Sequence, residues 1–504
     1  MEIIKKKVRT SVDLAQTKRK IAKRYKIPCP SNIDLLKIYH ELTKKGKIKK
    51  SVVLESLLKT RPIRSLSGIV NISVLTKPYP CPGKCLYCPQ ELGIPKSYVS
   101  GEPAVERAKR LEFNPYLQVK KRIEMLKIEG HHTDKIELRI VGGTWSYYPK
   151  KYQSWFIKRC LEACNEKMSK NLEEAQRLNE KATHRIVGLS IETRPDFINP
   201  SEIKWLRELG VTMVELGIQS IYDDVLKINL RGHKVKETIL ATKLLKDAGF
   251  KVLYQMMPNL PGSDLKRDEK MFEELFSNPT FQPDLLKIYP CALLKEAPLY
   301  QLWRRGKYKP YTRSQLMNLI KSIKKKIPYY ARIQRITRDI PSKTIVAGPA
   351  KISNLRQILL EKMKIEGWQC KCIRCREVKE KYNLKEKVYL FRKNYRASDG
   401  KEIFLSFENK NRTKLFSLLR LRITSQNKAV IREIHTYGPL VPIDKKRLAP
   451  QHRGLGKKLI KEVEKITKNE FGLKKIVVIS SVGARKYFRE LGYKLKDTYM
   501  VKSL

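Results

Sequence analysis

Three cysteines, Cys81, Cys85 and Cys88, stand in the run Cys81-Pro-Gly-Lys-Cys85-Leu-Tyr-Cys88, a C-x3-C-x2-C spacing. Three thiolates can hold three irons of a 4Fe–4S cube and leave the fourth iron open. An open iron can chelate the amino and carboxylate groups of S-adenosylmethionine. One electron, supplied by a separate donor, then cleaves the sulfonium and yields a 5′-deoxyadenosyl radical. Tyr87, just before the last cysteine, can pack near the adenine. The competing reading is a zinc knuckle, but a closed zinc site wants four ligands and this run offers three.

A second cluster, Cys370, Cys372 and Cys375, has the spacing C-x-C-x2-C. Its C-x2-C pair suits zinc, and Cys291 is the candidate fourth ligand, so that the metal would fix two domains against each other. The alternative is three free thiols on an exposed linker. Cys160 and Cys164, four residues apart on a helical stretch, read as buried apolar residues.

These residues need elements to hold them. From residue 69 to 290, β-rich runs (68–76, 135–143, 184–193, 211–220, 250–258 and 285–290) alternate with amphipathic helical patterns. Strand followed by helix, repeated, implies a parallel sheet, and six units predict an α/β fold of the partial β/α barrel type. Chemistry in such barrels sits at the carboxyl ends of the strands. The cysteines follow the first run, Gly142-Gly143-Thr144 ends the second, and Glu192 and Arg194 end the third. The exposed backbone of Gly142 and Gly143, with the Thr144 hydroxyl, could hold the amino group of S-adenosylmethionine. Glu192 and Arg194 could serve its ribose and carboxylate; an ordinary strand-end ion pair is the alternative.

Beyond a Lys-rich helical connector the pattern changes near residue 387 to a β-meander, then a Gly-rich turn, a helix, a strand, another helix and a closing strand. This is a separate α+β domain. The turn Gln451-His452-Arg453-Gly454-Leu455-Gly456 opens a helix, where free backbone N–H groups and the helix dipole favour a pyrophosphate. Tyr487, on the last helix, falls where the Gcn5-related acetyltransferase fold, which this order resembles, often places its acid, and a phenol of pKa about 10 can protonate a leaving thiolate. A core aromatic is the alternative there. His435 lies on the strand before the turn. The whole order resembles the Gcn5-related acetyltransferases, which bind the pantetheine of acetyl-CoA along that strand.

The domain boundaries read as a basic helical module over 1–64, the barrel over 65–311, a connector with the Cys-rich zinc segment over 312–386 and the acetyltransferase domain over 387–504. Charge points to the macromolecular partner. The 504 residues hold 107 Lys plus Arg against 50 Asp plus Glu, a net of +57. A heat-adapted surface would raise Glu alongside Lys, so a polyanion is the better explanation, and each neutralised phosphate releases condensed counterions. The first 64 residues alone carry 19 basic and 5 acidic side chains. No run approaches the about 18 to 20 apolar residues of a membrane span, and no secretory signal opens the chain. These features predict a cytoplasmic protein that binds nucleic acid and not a membrane.

Taken with SYVSGEPAVERA, VGGTW, IETRPDF, LYQLWRRGKY, REIHTYG, QHRGLG and ISSVGARKYFRELGY, the motifs resemble the Elongator catalytic-subunit family of tRNA uridine acetyltransferases over about residues 60–504. The resemblance implies that acetyl-CoA is the radical substrate. It also implies that C5 of the wobble uridine in tRNA receives the acetyl unit, and that thioester hydrolysis leaves a carboxymethyl group. Lys135, then Glu433, Ile434, His435 and Thr436, and Leu455, Gly456 and Lys457 map onto the family's acetyl-CoA contacts, with Lys135 also a candidate for catalysis. Phe488 occupies a further contact position without a hydroxyl, which leaves it packing. The short gap between the first two cysteines implies a prokaryotic form that acts without other Elongator subunits. Two readings compete: a protein lysine acetyltransferase with a structural iron–sulfur cluster, and a non-catalytic tRNA-binding scaffold.

Overall fold

Seven parallel strands form the first sheet, each hydrogen-bonded to its neighbours in sequence: β1 (Val70–Leu75), β2 (Lys135–Val141), β3 (Arg185–Thr193), β4 (Met213–Gln219), β5 (Lys251–Met256), β6 (Leu285–Ile288) and β7 (Arg332–Ile336). The computed structural model describes residues 8–504 except Ser353, 380–382, 384–385 and 439–453. The strands alternate in sequence with covering helices, against which period-2 side chains such as Val214, Leu216, Val252, Tyr254, Leu286 and Ile288 point outward into one continuous apolar core. Polar side chains at the helix starts fix where each helix begins. Asn199 accepts from Glu202 N–H, Asp264 from Arg267 N–H, and Thr312 forms a capping box with Gln315. The order β1 to β7 is the partial barrel expected from the sequence, with one strand more. β7 lies inside the stretch read as connector, so the sheet runs past the boundary drawn at 311. Its sequence, Arg-Ile-Gln-Arg-Ile, is half polar and follows a Lys-rich helix, which hides the strand pattern.

Before β1, helices Ser11–Arg24, Asn32–Lys44 and Val52–Leu58 pack around Leu14, Leu36, Tyr39, Leu54 and Leu58. On the second of these helices Leu36 and Tyr39 are buried while Ile38 is exposed. The Tyr39 hydroxyl accepts from Ser51 N–H at 2.6 Å, tying the third helix to the second.

The second sheet has the order β13-β14-β12-β11-β10-β9-β8, built from β8 (Tyr389–Ala397), β9 (Gly400–Glu408), β10 (Leu415–Ile423), β11 (Ala429–Thr436), β12 (Lys475–Val478), β13 (Lys494–Lys496) and β14 (Tyr499–Ser503). Strands β8 to β11 are antiparallel, but β11 and β12 run parallel. Helix Leu455–Asn469 covers one face through Leu459, Ile460, Val463 and Ile466. The other face rests on the barrel. Among the described residues, no helix is long and apolar enough to cross a membrane.

The contact between the two sheets is ionic and dry. Asp284, just ahead of β6, is fully buried and accepts from Arg432 at 2.5 and 2.9 Å. Lys246 and Arg420 stand 3.7 and 3.6 Å from its other oxygen. Burial opposes charge on this carboxyl, yet Arg432, Lys246 and Arg420 outweigh it and hold the group far below the usual carboxylate range. Glu402 completes the set with Arg422 at 3.0 Å and Arg432 at 3.5 Å. At the far edge, Arg207 donates to the Thr498 carbonyl and Tyr499 to that of Ala248. Gly483 sits so close to β3 that a Cβ there would come within 2.8 Å of the Ile186 carbonyl.

Asp284→Asn removes the charge that three buried cations share. Loss of one partner of a buried ion pair costs about 3–5 kcal/mol, and a drop of that size in the free energy of unfolding is the expected result. A denaturation midpoint equal to that of the wild type would contradict this account of the interface.

Candidate active sites at the two ends of the barrel

The first cysteine loop follows β1 at the carboxyl end of the sheet. Cys85 and Cys88 are buried and Cys81 is partly so. Gly83 lies between them: a Cβ there would sit 3.5 Å from Cys85 Sγ, 3.7 Å from Cys81 Sγ and 2.7 Å from Arg194 Nη1. The loop is therefore cradled around a position that only glycine leaves open. Basic groups surround it. Arg231 Nη1 donates to Cys85 Sγ at 3.5 Å, and Lys96 donates to the Gly83 carbonyl. Burial raises the cost of ionising both inner thiols, and Cys88 is pushed up to about 12. At Cys85 the burial penalty is outweighed by Arg231, which holds that thiol below its ordinary value. Three thiols facing a ring of cations suit a cluster ligated through thiolates.

The neighbouring strand ends close over this loop. Gly142 has φ +134°, and a Cβ there would fall 1.9 Å from Thr76 Oγ1, so glycine is required for the sharp exit from β2. Gly143 follows with φ +102°, and Thr144 Oγ1 lies 3.7 Å from Cys81 Sγ. Arg194 forms a two-pronged pair with Asp196 at 2.8 and 2.9 Å. Its Nη1, aimed at the cysteine loop, has no hydrogen-bond partner among the described residues. Glu192 does not pair with Arg194. It accepts from Tyr98 at 2.9 Å, Gln255 at 3.1 Å and Lys287 at 3.3 Å, and so faces the barrel interior. Tyr87 packs against Val225, Leu260 and Cys291.

That last contact corrects the ligand set read for the second cluster. Cys291 follows β6 at the carboxyl end of the sheet, in an apolar nest with Leu293, Leu299 and Tyr308. Cys370, Cys372 and Cys375 converge at the other end, beside the start of β7, where Ile373 N–H donates to the Ala331 carbonyl. A barrel length separates Cys291 from them, and sequence order cannot tell which end of a barrel a loop faces. The three thiols lie within 4.8 Å of one another. Thiolates about 2.3 Å from one zinc would be spaced comparably. Buried Lys324 donates to Cys375 Sγ at 3.5 Å. Burial works against its charge, but the three thiols raise its pKa above the ordinary lysine value. Cys160 and Cys164 are buried in the main core.

The amino-terminal ends of the strands meet the second domain across a cleft of about 1000 Å³. Lys135, Arg185, Lys251 and Arg332 line the barrel side, and Glu433 to Thr436, Gly456, Lys457 and Tyr487 the other. The cleft exists because β11 and β12 pair only over Ala429–Ile431 and Ile476–Val478. Beyond Ile431 the strands part, and the side of Glu433–Thr436 that faces away from β10 is left for another chain of amides. The helix starting at Leu455 points into the same opening. A Cβ on Gly456 would meet the Tyr487 hydroxyl at 3.1 Å, Ile434 at 3.6 Å and Thr436 Oγ1 at 3.7 Å.

Each side chain there has a defined state. Burial, with a smaller effect of Glu490, pushes the Tyr487 phenol up to about 12, so it keeps its proton at neutral pH. Glu433 is buried, but Lys251 and Arg420 hold it down at about 2 and therefore charged. Burial lowers the His435 pKa. Its Nε2 lies 2.7 Å from the Ser67 carbonyl and its ring stacks on Tyr437. Thr436 Oγ1 meets Ser417 Oγ at 2.9 Å. Burial likewise lowers Lys135, against Asp134. Leu455 and Phe488 point into apolar cores, so Leu455 has only its backbone to offer. Gln451, His452 and Arg453 of the Gly-rich turn lie outside the described residues. Sequence reasoning passed over Arg231 and Lys96. The signal for Arg231 was its place in the loop after β4, at the carboxyl end where the chemistry gathers.

Residues 79–275 match the Radical SAM superfamily, and residues 283–365 the Radical_SAM C-terminal domain. The chain is 46% identical over 497 residues to a tRNA uridine(34) acetyltransferase of Methanocaldococcus infernus, covering 94% of this chain and 92% of that one. It is 43% identical to the protein of the same name from Dehalococcoides mccartyi, over 88% and 99% of the two chains. Identity to human Elongator complex protein 3 is 38%, over 98% and 93%. The solved structure of the archaeal Methanocaldococcus infernus Elp3 with an N-terminal deletion superposes with a TM-score of 0.77 at 43% identity, covering 87% of this chain and all of that one. The chain belongs to the family of tRNA uridine(34) acetyltransferases and Elongator complex protein 3, whose radical SAM barrel it carries.

Proposed function

We propose that this protein is a radical SAM tRNA uridine acetyltransferase, which uses acetyl-CoA to build a carboxymethyl group on C5 of the wobble uridine. The observation that carries the reading is the pairing, on one barrel, of a cation-ringed three-cysteine loop with an acyl-carrier cleft. A 4Fe–4S cluster with S-adenosylmethionine supplies, when bound, a 5′-deoxyadenosyl radical, and an electron donor must feed it. Cys81, Cys85 and Cys88 hold the cluster. Arg194, with a free buried N–H, suits the carboxylate of S-adenosylmethionine, and Thr144 with the Gly142-Gly143 backbone suits its amino group.

In the cleft, the helix start at Leu455–Lys457 takes the pyrophosphate, and the β11 edge at Glu433–Thr436 takes the pantetheine amides. Charged Glu433 is a positioning group and not a base. Tyr487 holds a proton where a leaving thiolate would collect it, and Lys135 faces the acyl end from the barrel. A lysine acetyltransferase would need that end to admit a lysine side chain, whereas here Lys135, Arg185 and Lys251 line it and disfavour a further cation. Cys370, Cys372 and Cys375 suit a structural zinc, with Lys324 offsetting the negative charge of three thiolates. The basic helical module and the net charge fit tRNA in the cytoplasm, and full-length prokaryotic relatives fit action without other Elongator subunits.

The direct test incubates the anaerobically reconstituted protein with tRNA, acetyl-CoA, S-adenosylmethionine and a reductant, and looks for 5-carboxymethyluridine by nucleoside mass spectrometry. Cys85→Ser should abolish both iron content and 5′-deoxyadenosine formation while tRNA affinity persists. An unchanged rate of 5′-deoxyadenosine formation would refute the cluster assignment. Tyr487→Phe should slow tRNA-stimulated acetyl-CoA hydrolysis by about 10²- to 10⁴-fold, the usual worth of a general acid, with iron content intact. Deleting residues 1–60 should weaken tRNA binding and flatten its salt dependence, because each lost phosphate contact lowers the slope of log K against log salt by about 0.9. An unaltered slope would show that this charge is surface composition only.

A further inference from the structure

The two sites lie at opposite ends of the sheet. The cleft is bounded by the first residues of the strands, and the cysteine loop follows their last. From Lys135 to Val141 a strand at about 3.3 Å per residue spans about 20 Å. A carbon radical formed at the cysteine loop cannot act across that gap, because hydrogen transfer needs near contact.

The barrel interior bridges it. Interiors of β/α barrels are normally filled by branched apolar side chains. The pairing register places different residues inside this one. Asn71 lies beside Glu137, Ser73 beside Arg139, and Glu137 beside Gly188. Glu192 lies beside Glu215, Gly217 beside Gln255, and Gln255 beside Lys287. The buried inward apolar side chains of these strands are Met213, Leu253 and Leu285 near the cleft and, at the far end of β1 and β2, Leu75 and Val141. The cleft itself penetrates this interior as far as Ser73, Arg139 and Arg335. Above that level one charged layer remains. Arg139 donates to Glu215 at 2.7 Å, Lys287 donates to Glu215, and Gln255 reaches both Glu215 and Glu192 at 3.2 and 3.1 Å. Only about 10 Å of strand separates this layer from the strand ends.

Two buried polar atoms face the passage without partners among the described residues, Arg139 Nε and Gln334 Oε1. Buried groups of this kind are normally satisfied, and a donor and an acceptor together match an amide of the carrier arm. The layer above consists of long, unbranched side chains that can exchange ion-pair partners, unlike a packed plug of Val and Ile.

The geometry points to the barrel lumen as a duct through which the acyl end of the CoA arm reaches the radical site, with Arg139, Glu215 and Lys287 as its gate. The inference rests on the reading that the acetyl methyl is the hydrogen donor. In that step one C–H bond of the methyl breaks and one forms on the 5′-deoxyadenosyl carbon, with no further oxidant.

Gly188 offers a way to narrow the duct where the cleft runs into the lumen, since it lines that cleft and faces Glu137. With acetyl-CoA deuterated on the methyl, the wild type should pass deuterium into 5′-deoxyadenosine in the presence of tRNA. Gly188→Phe should lower that transfer at least tenfold, with iron content, 3′-phospho-ADP affinity and uncoupled cleavage of S-adenosylmethionine within twofold of the wild type. A second arm needs no turnover. In Ser73→Cys, a methanethiosulfonate reagent should label residue 73, read by peptide mass spectrometry. A non-hydrolysable thioether analogue of acetyl-CoA should protect it, whereas 3′-phospho-ADP, which lacks the arm, should not. Wild-type deuterium transfer in Gly188→Phe, or labelling indifferent to the analogue, would overturn the duct. Absence of deuterium transfer in the wild type itself would overturn the hydrogen-donor reading instead, and the labelling arm alone would then decide whether the arm enters the lumen.

Discussion

Everything in this molecule that couples two chemistries depends on one buried carboxylate. Asp284 stands at the foot of the barrel, fully out of water, with Arg432 of the second sheet on one side and Lys246 and Arg420 close by. Isolated, any of these charges would be too costly to bury. Together they compensate one another, and the geometry that does so admits a single docking of the two sheets. Arg420 carries the constraint further, because it also donates to Glu433 at 2.7 Å. Docking and the acyl cleft are thus set by the same guanidinium. Asp284 also takes the Val252 N–H and so holds β5 and β6 in register beneath the lumen.

The barrel departs from its relatives by type in a second way. An interior of Asn71, Ser73, Glu137, Arg139, Glu215, Gln255 and Lys287 gives up apolar burial that would be worth roughly 1.5–3 kcal/mol per large side chain. The outward faces of the same strands supply the stability that the lumen forgoes, packing into one core with the helices. This division of labour leaves the axis lined by polar and charged side chains, with the cysteine loop at one end and the acyl strand at the other.

Much of this was legible in the residues. The alternation of strands and helices, the cysteine spacing and the Gly-rich helix start each carry a local physical meaning, and local meaning survives folding. What escaped was whatever depends on a distant neighbour. β7 reads as linker because its half-polar sequence gains its strand character from pairing with β6. Cys291 looks like a zinc ligand because it ends a strand, yet it faces the wrong end of the barrel. Arg420, Arg422 and Arg432 alternate with apolar residues and so read as a solvated face, whereas the barrel covers that face and every residue of β10 is buried. Arg231 carried a positional signal, the loop after β4, but its contact with the Cys85 thiol appears only once the chain is folded.

The double burial of β10 has a consequence for dissection of the molecule. A domain whose outer sheet face tolerates water can be expressed alone. Here excision would strand Arg420, Arg422 and Arg432, because Asp247 and Asp284 would stay behind on the other fragment. Each half, cut free, would expose buried charge and apolar surface that the other now covers.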